Sequence, residues 1–252
     1  MIVEAAMIAV GTYWGAFHFV PLLRRIRLER LLRKNAAAAL PLIRKELGRN
    51  GPTGHRDVVG FLLAECLFLL GDFTGAMESV RNVDPRALQR MAPMFGGLMR
   101  LLYVNGMVYF LSVGGDLAGA AALVDELHRA SARWRVRSFL GTAVRDTLAT
   151  FYYHSGHRTR ARQLFEECLA AWPRVSFSER LLHDGVERGL AISRYYLGRL
   201  DLAEGRMDQG LARIAESARQ LPGTFFAEEP GRLAHGTEWI PCPPPKPRLS
   251  GS

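Results

Sequence analysis

The sequence predicts an all-α fold made of antiparallel helix pairs that repeat along the chain. A short glycine-led stretch occurs four times, beginning at Gly71, Gly115, Gly156 and Gly205. In each copy a small residue, Ala or Gly, stands five positions after the first glycine, and apolar residues at helical spacing lie on both sides. Recurrence of a turn between two helical patterns is typical of helical repeats, in which stacked neighbours complete one core.

The bulk composition places the chain among folded proteins. With 252 residues, of which 48% are hydrophobic, it can bury a substantial core. The formal net charge is +9, and residues 21–56 alone carry +8, so the rest of the chain is nearly neutral. Cys66, Cys168 and Cys242 form no C-x-x-C pair, which argues against a zinc site or a disulfide framework and favours a reducing compartment.

A strongly apolar segment, assigned to residues 1–23, opens the sequence. Residues 5–23 contain no Asp, Glu, Lys or Arg, and about 20 apolar residues span a bilayer as a helix. The arginines that follow place the C-terminal side in the cytoplasm. We therefore expect a single-pass membrane helix with a cytoplasmic repeat domain. The alternative is a helix buried in the fold of a soluble cytoplasmic protein.

Residues 24–55 form a basic segment beside this helix. Leucines alternate there with basic side chains, a pattern typical of helices at a membrane surface, where basic clusters attract anionic lipid. The same side chains could instead serve only to fix membrane topology. A further helix is predicted at 36–47. The basic cluster consists of Arg24, Arg25, Arg27, Arg30, Arg33 and Lys34.

Four helix pairs are predicted within residues 56–222, bounded by the turn glycines and by helix-stopping prolines. The pairs are 58–70 with 74–83, 94–113 with 117–129, 139–154 with 158–172, and 179–204 with 207–221. The long apolar segment 94–113 could suggest a second membrane span. Arg100 and Asn105 within it favour a buried repeat helix.

The last part of the chain, residues 223–252, is assigned to a Pro-rich, disordered tail. Its run of prolines from Pro241 favours an extended polyproline II conformation. A few apolar residues before that run could cap the last repeat. They are Phe225, Phe226, Trp239 and Ile240.

The repeat region resembles the tetratricopeptide repeat (TPR) family. Leu63-Ala64, Leu148-Ala149 and Leu197-Gly198 stand at the family's first-helix position relative to the turn glycines, and Pro173 and Pro222 close two second helices. The turn glycines are 44, 41 and 49 residues apart. The family's unit has 34 residues, so the resemblance implies a TPR-like solenoid with longer, irregular repeats.

The resemblance also implies a binding groove lined by the first helix of each pair. Aromatic, amide and charged groups at the groove positions suit a peptide or a partner helix. The alternative is that some are satisfied polar residues between repeats. The residues carried over are Glu65, Asn105, Tyr109, Asp146, Thr150, Tyr153, Tyr195 and Arg199.

No catalytic, metal or cofactor signature is visible. His154 and His157 flank a turn without a third ligand, and no phosphate-binding loop is present. The near-zero charge of the repeat region argues against nucleic acid. We therefore expect a non-enzymatic scaffold or adaptor that recruits a protein or peptide, either anchored to a membrane or as a soluble interaction module. An enzyme or nucleic-acid binder built on the repeats is a third hypothesis.

Overall fold

All regular secondary structure in the described part of the computed structural model is helical. The described residues are 24, 27–32, 34–49, 55–87, 96–132, 139–175 and 185–235. The helices are α1 (Ala36–Leu47), α2 (His55–Leu69), α3 (Phe73–Arg81), α4 (Gly96–Val113), α5 (Leu117–Ser131), α6 (Phe139–His154), α7 (Arg158–Ala171), α8 (Gly185–Ala203), α9 (Met207–Gln220) and α10 (Phe225–Ala234). A 3-10 turn at Trp172–Arg174 follows α7.

Helices α2 to α9 form four consecutive pairs, as the recurring turns predict. The first helices of the pairs are α2, α4, α6 and α8, and each packs against the second helix that follows it. Each of the first three second helices also packs against the first helix of the next pair. This packing confirms an all-α helical repeat, and α1 packs on α2 as an additional helix at its start.

The four turns share one backbone geometry. Gly71, Gly115, Gly156 and Gly205 have φ of +82°, +88°, +78° and +80°. In every turn the glycine N–H donates to the carbonyl three residues earlier, and the next N–H donates to the carbonyl five residues earlier. This is the Schellman motif, whose left-handed residue strongly favours glycine. The turn glycines therefore recur because the backbone requires them.

The small residue five positions after each turn glycine permits close contact between the two helices of a pair. In the fourth pair, a Cβ added to Gly210 would lie 2.8 Å from the Gly198 carbonyl oxygen. A Cβ added to Gly198 would in turn lie 2.9 Å from the Gly210 carbonyl oxygen. The equivalent Ala120 and Ala161 are completely buried. Larger side chains at these positions would force the helices apart.

The residue after the turn glycine differs between the early and the late pairs. Asp72 and Asp116 cap α3 and α5, accepting hydrogen bonds from the N–H groups of Gly75 and Gly119 at 2.8 and 2.9 Å. The Gly119 hydrogen bond and the neighbouring Arg81 lower the pKa of Asp116. The third and fourth pairs have His157 and Arg206 at this position, and neither side chain caps its helix.

In the fourth pair a buried carboxylate joins three elements. Asp201 on α8 is completely buried, and its Oδ1 accepts two hydrogen bonds from Arg206 in the turn, at 3.0 and 2.6 Å. Its Oδ2 accepts one from Arg213 on α9 at 2.6 Å. Arg162 on α7 pairs with Oδ1 at 2.9 Å. One carboxylate thus connects the third pair to the fourth.

The expected disordered tail is wrong for its first part, because Phe225–Ala234 forms α10. Phe225 and Phe226 are buried, and their rings lie 5.5 and 5.9 Å from the ring of Phe68 in the first pair. Phe226 also lies 4.9 Å from Tyr195 in the fourth pair. Burial of two aromatic rings stabilises this helix despite Pro230 within it. The prolines from Pro241 onward lie outside the described residues.

The predicted membrane helix at residues 1–23 also lies outside the described residues. Within the described ranges, no helix combines the length and apolar character needed to cross a membrane. Residues 27–32 are helical, and Leu28 and Leu32 pack into the main core. The apolar side of this amphipathic stretch therefore faces protein, whereas the sequence pattern indicated a membrane surface.

The basic cluster keeps its charged side chains at the protein surface wherever it is described. Arg24, Arg27, Arg30 and Lys34 are exposed, while Arg25 and Arg33 lie outside the described residues. Glu46 on α1 contacts Arg24 at 3.7 Å. The other exposed cations remain accessible to an anionic surface.

Candidate partner-binding groove

The first helices of the four pairs line an open cavity of about 290 Å³ on one side of the array. We call this side the inner face. Its lining includes Glu65 of α2, Asn105 of α4, Asp146 of α6 and Arg188 of α8. Apart from Trp172 in the 3-10 turn, the described lining residues all belong to first helices. The cavity therefore lies where the resemblance places a binding groove.

Aromatic rings form much of the cavity wall. Phe61 and Phe68 of α2, Tyr109 of α4 and Phe139 of α6 line it together with Trp172. The ring of Phe68 lies 5.3 Å from that of Tyr109, and the ring of Phe139 lies 5.6 Å from that of Trp172, so neighbouring elements hold the rings in place. Such a wall offers both apolar surface and aromatic faces that attract cations.

Polar atoms buried in this wall without a hydrogen-bond partner include the Oδ1 of Asn105 and the hydroxyl oxygen of Tyr109. Burial also raises the pKa of Tyr109 well above its usual value, so the phenol stays neutral. Buried polar atoms nearly always have a partner, and an exception indicates a place where a ligand or water completes the set.

Asp146 contributes a buried carboxyl group to the same cavity. It is 7% exposed, and its Oδ1 accepts a hydrogen bond from the Ser193 hydroxyl at 2.6 Å. Burial raises the pKa of Asp146 to about 7, although the Ser193 hydrogen bond acts in the opposite direction. Among the described residues, no cationic side chain forms an ion pair with Asp146. The other acidic residue, Glu65, pairs with Arg188 across the cavity.

Replacement of Asp146 by Asn is expected to change the pH dependence of stability. The folded-state pKa of Asp146 is raised from 3.8 to about 7. Its contribution to stability is therefore fully present below pH 3.8 and is lost as pH rises through 7. The gain in unfolding free energy of Asp146→Asn over wild type should grow between pH 4 and 8, by on the order of 4 kcal/mol. Urea denaturation at each pH measures it.

The difference in unfolding free energy between wild type and Asp146→Asn reports on Asp146 alone, because the other titratable groups are the same in both proteins. Burial lowers the pKa of His154 to about 4, so its contribution to stability falls as pH drops below 6.5 in both proteins. Ser193, Tyr109, Tyr196 and Cys168, which face or interact electrostatically with Asp146, are also common to both. A difference in unfolding free energy that is constant from pH 4 to 8 would contradict the prediction.

Two predicted groove residues are covered by α10. Arg199 is 2% exposed and donates a hydrogen bond to Oε1 of Glu229 at 3.1 Å. The Tyr195 hydroxyl donates to the same oxygen at 3.1 Å, and Glu229 is completely buried. Burial raises the pKa of Tyr195 well above its usual value, and the Glu229 carboxylate adds to the effect. The chain's own C-terminal helix thus occupies this end of the inner face.

Two further predicted groove residues lie within the packed interior. Thr150 is completely buried, and its hydroxyl donates to the Asp146 backbone carbonyl at 3.0 Å. Tyr153 is also completely buried, with its ring 4.8 Å from that of Tyr196. Both positions are closed to a partner in this structure. The eight predicted residues therefore divide into four at the cavity and four in the interior.

Two residues that pair with predicted groove residues were not predicted from the sequence. Glu229 supplies a carboxylate to Arg199, and Arg188 supplies a guanidinium to Glu65. The Glu229 position had a weak local signal, because Phe225 and Phe226 precede it at spacings that put apolar and acidic groups on one helix. Arg188 had none, since its partner Glu65 lies in the first pair. His154, which flanks the third turn, is partly buried, and its Nε2 lies 3.4 Å from the Tyr196 hydroxyl oxygen.

A second, larger cleft of about 790 Å³ lies between α1, α2 and α3, away from the inner face. Its charged lining residues have both signs, including Arg44, Arg56, Asp57 and Asp72. Within the described ranges, no group of three or more His, Cys, Asp or Glu side chains could hold a metal ion.

Comparisons with known proteins identify no relative for this arrangement. No protein-family model, no curated protein and no solved structure matches the chain. The helical repeat is therefore supported by the four turns and the helix packing alone.

Proposed function

We propose that this protein is a non-catalytic TPR-like scaffold or adaptor that binds a protein or peptide partner on its inner face. The observation that carries the proposal is the cavity lined by all four first helices. Asn105 Oδ1 and the Tyr109 hydroxyl are buried there without partners. A ligand that supplies hydrogen-bond donors would satisfy them, and polar groups in an otherwise apolar cavity are typical of binding sites.

In this proposal the N-terminal part of the chain determines where the scaffold works. Residues 1–23 would anchor it in a membrane, and the basic cluster would attract anionic lipid with about 1 kcal/mol per basic residue. Attraction of anionic lipid is supported by the exposure of Arg24, Arg27, Arg30 and Lys34. The alternative is a soluble interaction module whose N-terminal helix packs in its own fold or in a larger complex. Burial of Leu28 and Leu32 in the core favours that alternative.

Site-specific photo-crosslinking tests the groove. A photoreactive phenylalanine analogue placed at Tyr109 reports proteins that enter the cavity. The same analogue at Leu211, which is 44% exposed on the second helix α9, is the matched control. We expect one recurrent protein to be crosslinked from position 109 and not from position 211, and the purified protein to lose binding when Tyr109 is replaced by Ala. Identical crosslinking from both positions would contradict a partner-binding inner face.

Membrane fractionation distinguishes a membrane-anchored scaffold from a soluble interaction module. The full chain should sediment with membranes and should require detergent for release, whereas the chain without residues 1–23 should lose this detergent requirement. Recovery of the intact chain in the soluble fraction would rule out the anchor and leave the soluble module.

A further inference from the structure

We propose that the inner-face cavity binds the guanidinium group of an arginine side chain on the partner, an assignment that rests on the proposed groove function. The cavity volume of about 290 Å³ lies at the lower end of the range of about 300–1,000 Å³ typical of small-molecule sites. It therefore suits one long side chain better than a whole helix. The partner would insert that side chain while the rest of its segment lies outside the cavity.

The charge of the cavity favours a cation. The ionisable residues in its described lining are Glu65, Asp146, Arg188 and Tyr109, whose phenol is neutral. Glu65 and Arg188 neutralise each other as an ion pair. Among the residues that the structure describes, the Asp146 carboxyl accepts a hydrogen bond from the Ser193 hydroxyl and forms no ion pair. A buried carboxylate without a counter-ion is costly, so a cation brought in by the partner would stabilise it in its charged form.

Three hydrogen-bonding groups of the cavity can act as acceptors. Asn105 Oδ1 is an unpartnered acceptor, the Tyr109 hydroxyl oxygen can accept as well, and Asp146 retains acceptor capacity beyond its bond from Ser193. These three groups belong to residues of α4 and α6 that line the cavity. A planar guanidinium with five N–H donors can reach several separate acceptors at once, whereas an ammonium is a compact point charge.

The aromatic wall selects for the same group. Phe139 contacts Trp172 there, Phe68 contacts Tyr109, and Phe61 also lines the cavity. A guanidinium stacks on aromatic faces and is more weakly hydrated than an ammonium, so it loses less on entering such a cavity. A carboxylate ligand would meet the Asp146 carboxyl and the negative faces of these rings, which disfavours its binding there.

The test compares two probes of the same shape on the full chain. The probes are N-acetyl-L-arginine N-methylamide and its neutral counterpart N-acetyl-L-citrulline N-methylamide, with the lysine analogue as a third. Binding is followed by chemical-shift changes in the ¹⁵N-labelled protein. We expect the arginine probe to bind with a Kd on the order of 1 mM. The citrulline probe should bind at least about tenfold more weakly, and the lysine probe should fall between them.

Matched variants assign the binding to the cavity. Asp146→Asn and Tyr109→Phe should each weaken the arginine probe several-fold, and Asp146→Asn should remove its preference over citrulline. Asp125→Asn makes the same charge change at an exposed position on α5 and should leave the Kd unchanged. Circular dichroism verifies that each variant is folded, and Tyr109→Phe, which removes one oxygen only, serves if Asp146→Asn does not fold.

Equal binding of the arginine and citrulline probes, or an unchanged Kd in both cavity variants, would overturn the assignment. The experiments distinguish failure of the arginine assignment from failure of the proposed partner binding on the inner face. If a partner is crosslinked from position 109 but the probes do not differ, the arginine assignment fails and the groove function stands. If the arginine probe binds as expected but no partner is crosslinked, the cavity chemistry holds and the groove function fails.

Discussion

Replacement of Glu229 by Ala is expected to destabilise the protein by about 3–5 kcal/mol. Glu229 is completely buried, and it accepts hydrogen bonds from Arg199 and from the Tyr195 hydroxyl. Its removal leaves a guanidinium that is 2% exposed without this carboxylate, inside a core where water cannot replace it. Most folded domains have only about 5–15 kcal/mol of stability. Urea denaturation followed by circular dichroism at 222 nm gives the change in unfolding free energy.

The neighbouring residue supplies a close control. Glu228 lies on the same helix but is exposed, and its replacement by Ala should change stability by less than about 0.5 kcal/mol. A double variant, Arg199→Met with Glu229→Leu, removes both charges and should recover most of the loss, because well-packed apolar residues often replace a buried ion pair without cost. Similar effects of Glu229→Ala and Glu228→Ala would show that the buried pair does not hold α10 in place.

The second large effect is expected at Asp201. Replacement by Ala should cost about 2–4 kcal/mol, since three arginines on three elements lose their common carboxylate. The loss should be smaller than at Glu229. The side chains of Arg162, Arg206 and Arg213 are 19%, 42% and 26% exposed, so water can partly replace the lost partner. The unfolding free energy in urea again measures the change.

Glu204 provides the comparison within the same group of charges. It contacts Arg162 at 3.2 Å and Arg206 at 2.5 Å, but its side chain is 33% exposed. Glu204→Ala should therefore cost no more than about 1 kcal/mol, as for exposed ion pairs. Raised salt should reduce this smaller effect more than the effect at Asp201. If both variants lost the same stability, burial of Asp201 would not be the source of its contribution.

The helix pairs could be predicted from the sequence because their signals are local. Turn glycines, helix-stopping prolines and apolar spacing act within a few residues, and the predicted bounds 36–47 and 139–154 agree with α1 and α6. The fourth copy, at Gly205, forms the same hydrogen-bonded turn as the others. Each of these features is determined by backbone conformation and by contacts between neighbouring helices.

The sequence could not predict which of the eight predicted groove residues line the cavity and which are buried in the interior. Tyr195 and Arg199 stand at groove positions by offset, but their burial depends on α10, which follows them in sequence and returns to contact Phe68. Prolines around α10 are a local signal for disorder, and the long-range burial of Phe225 and Phe226 overrides it. Asn105 and Asp146 line the cavity because that part of the inner face depends only on successive first helices.

The contact of α10 with both ends of the array changes the cooperativity expected for this fold. In an open solenoid each repeat contacts only its neighbours, so end repeats can fray while the middle stays folded. Here Phe225 connects Phe73 in the first pair to Tyr195 in the fourth, which closes the array on itself. Because the array is closed, unfolding of the pair at one end also removes contacts made by the pair at the other end. The protein should therefore unfold as one unit, and its folding should be slowed by contacts distant in sequence.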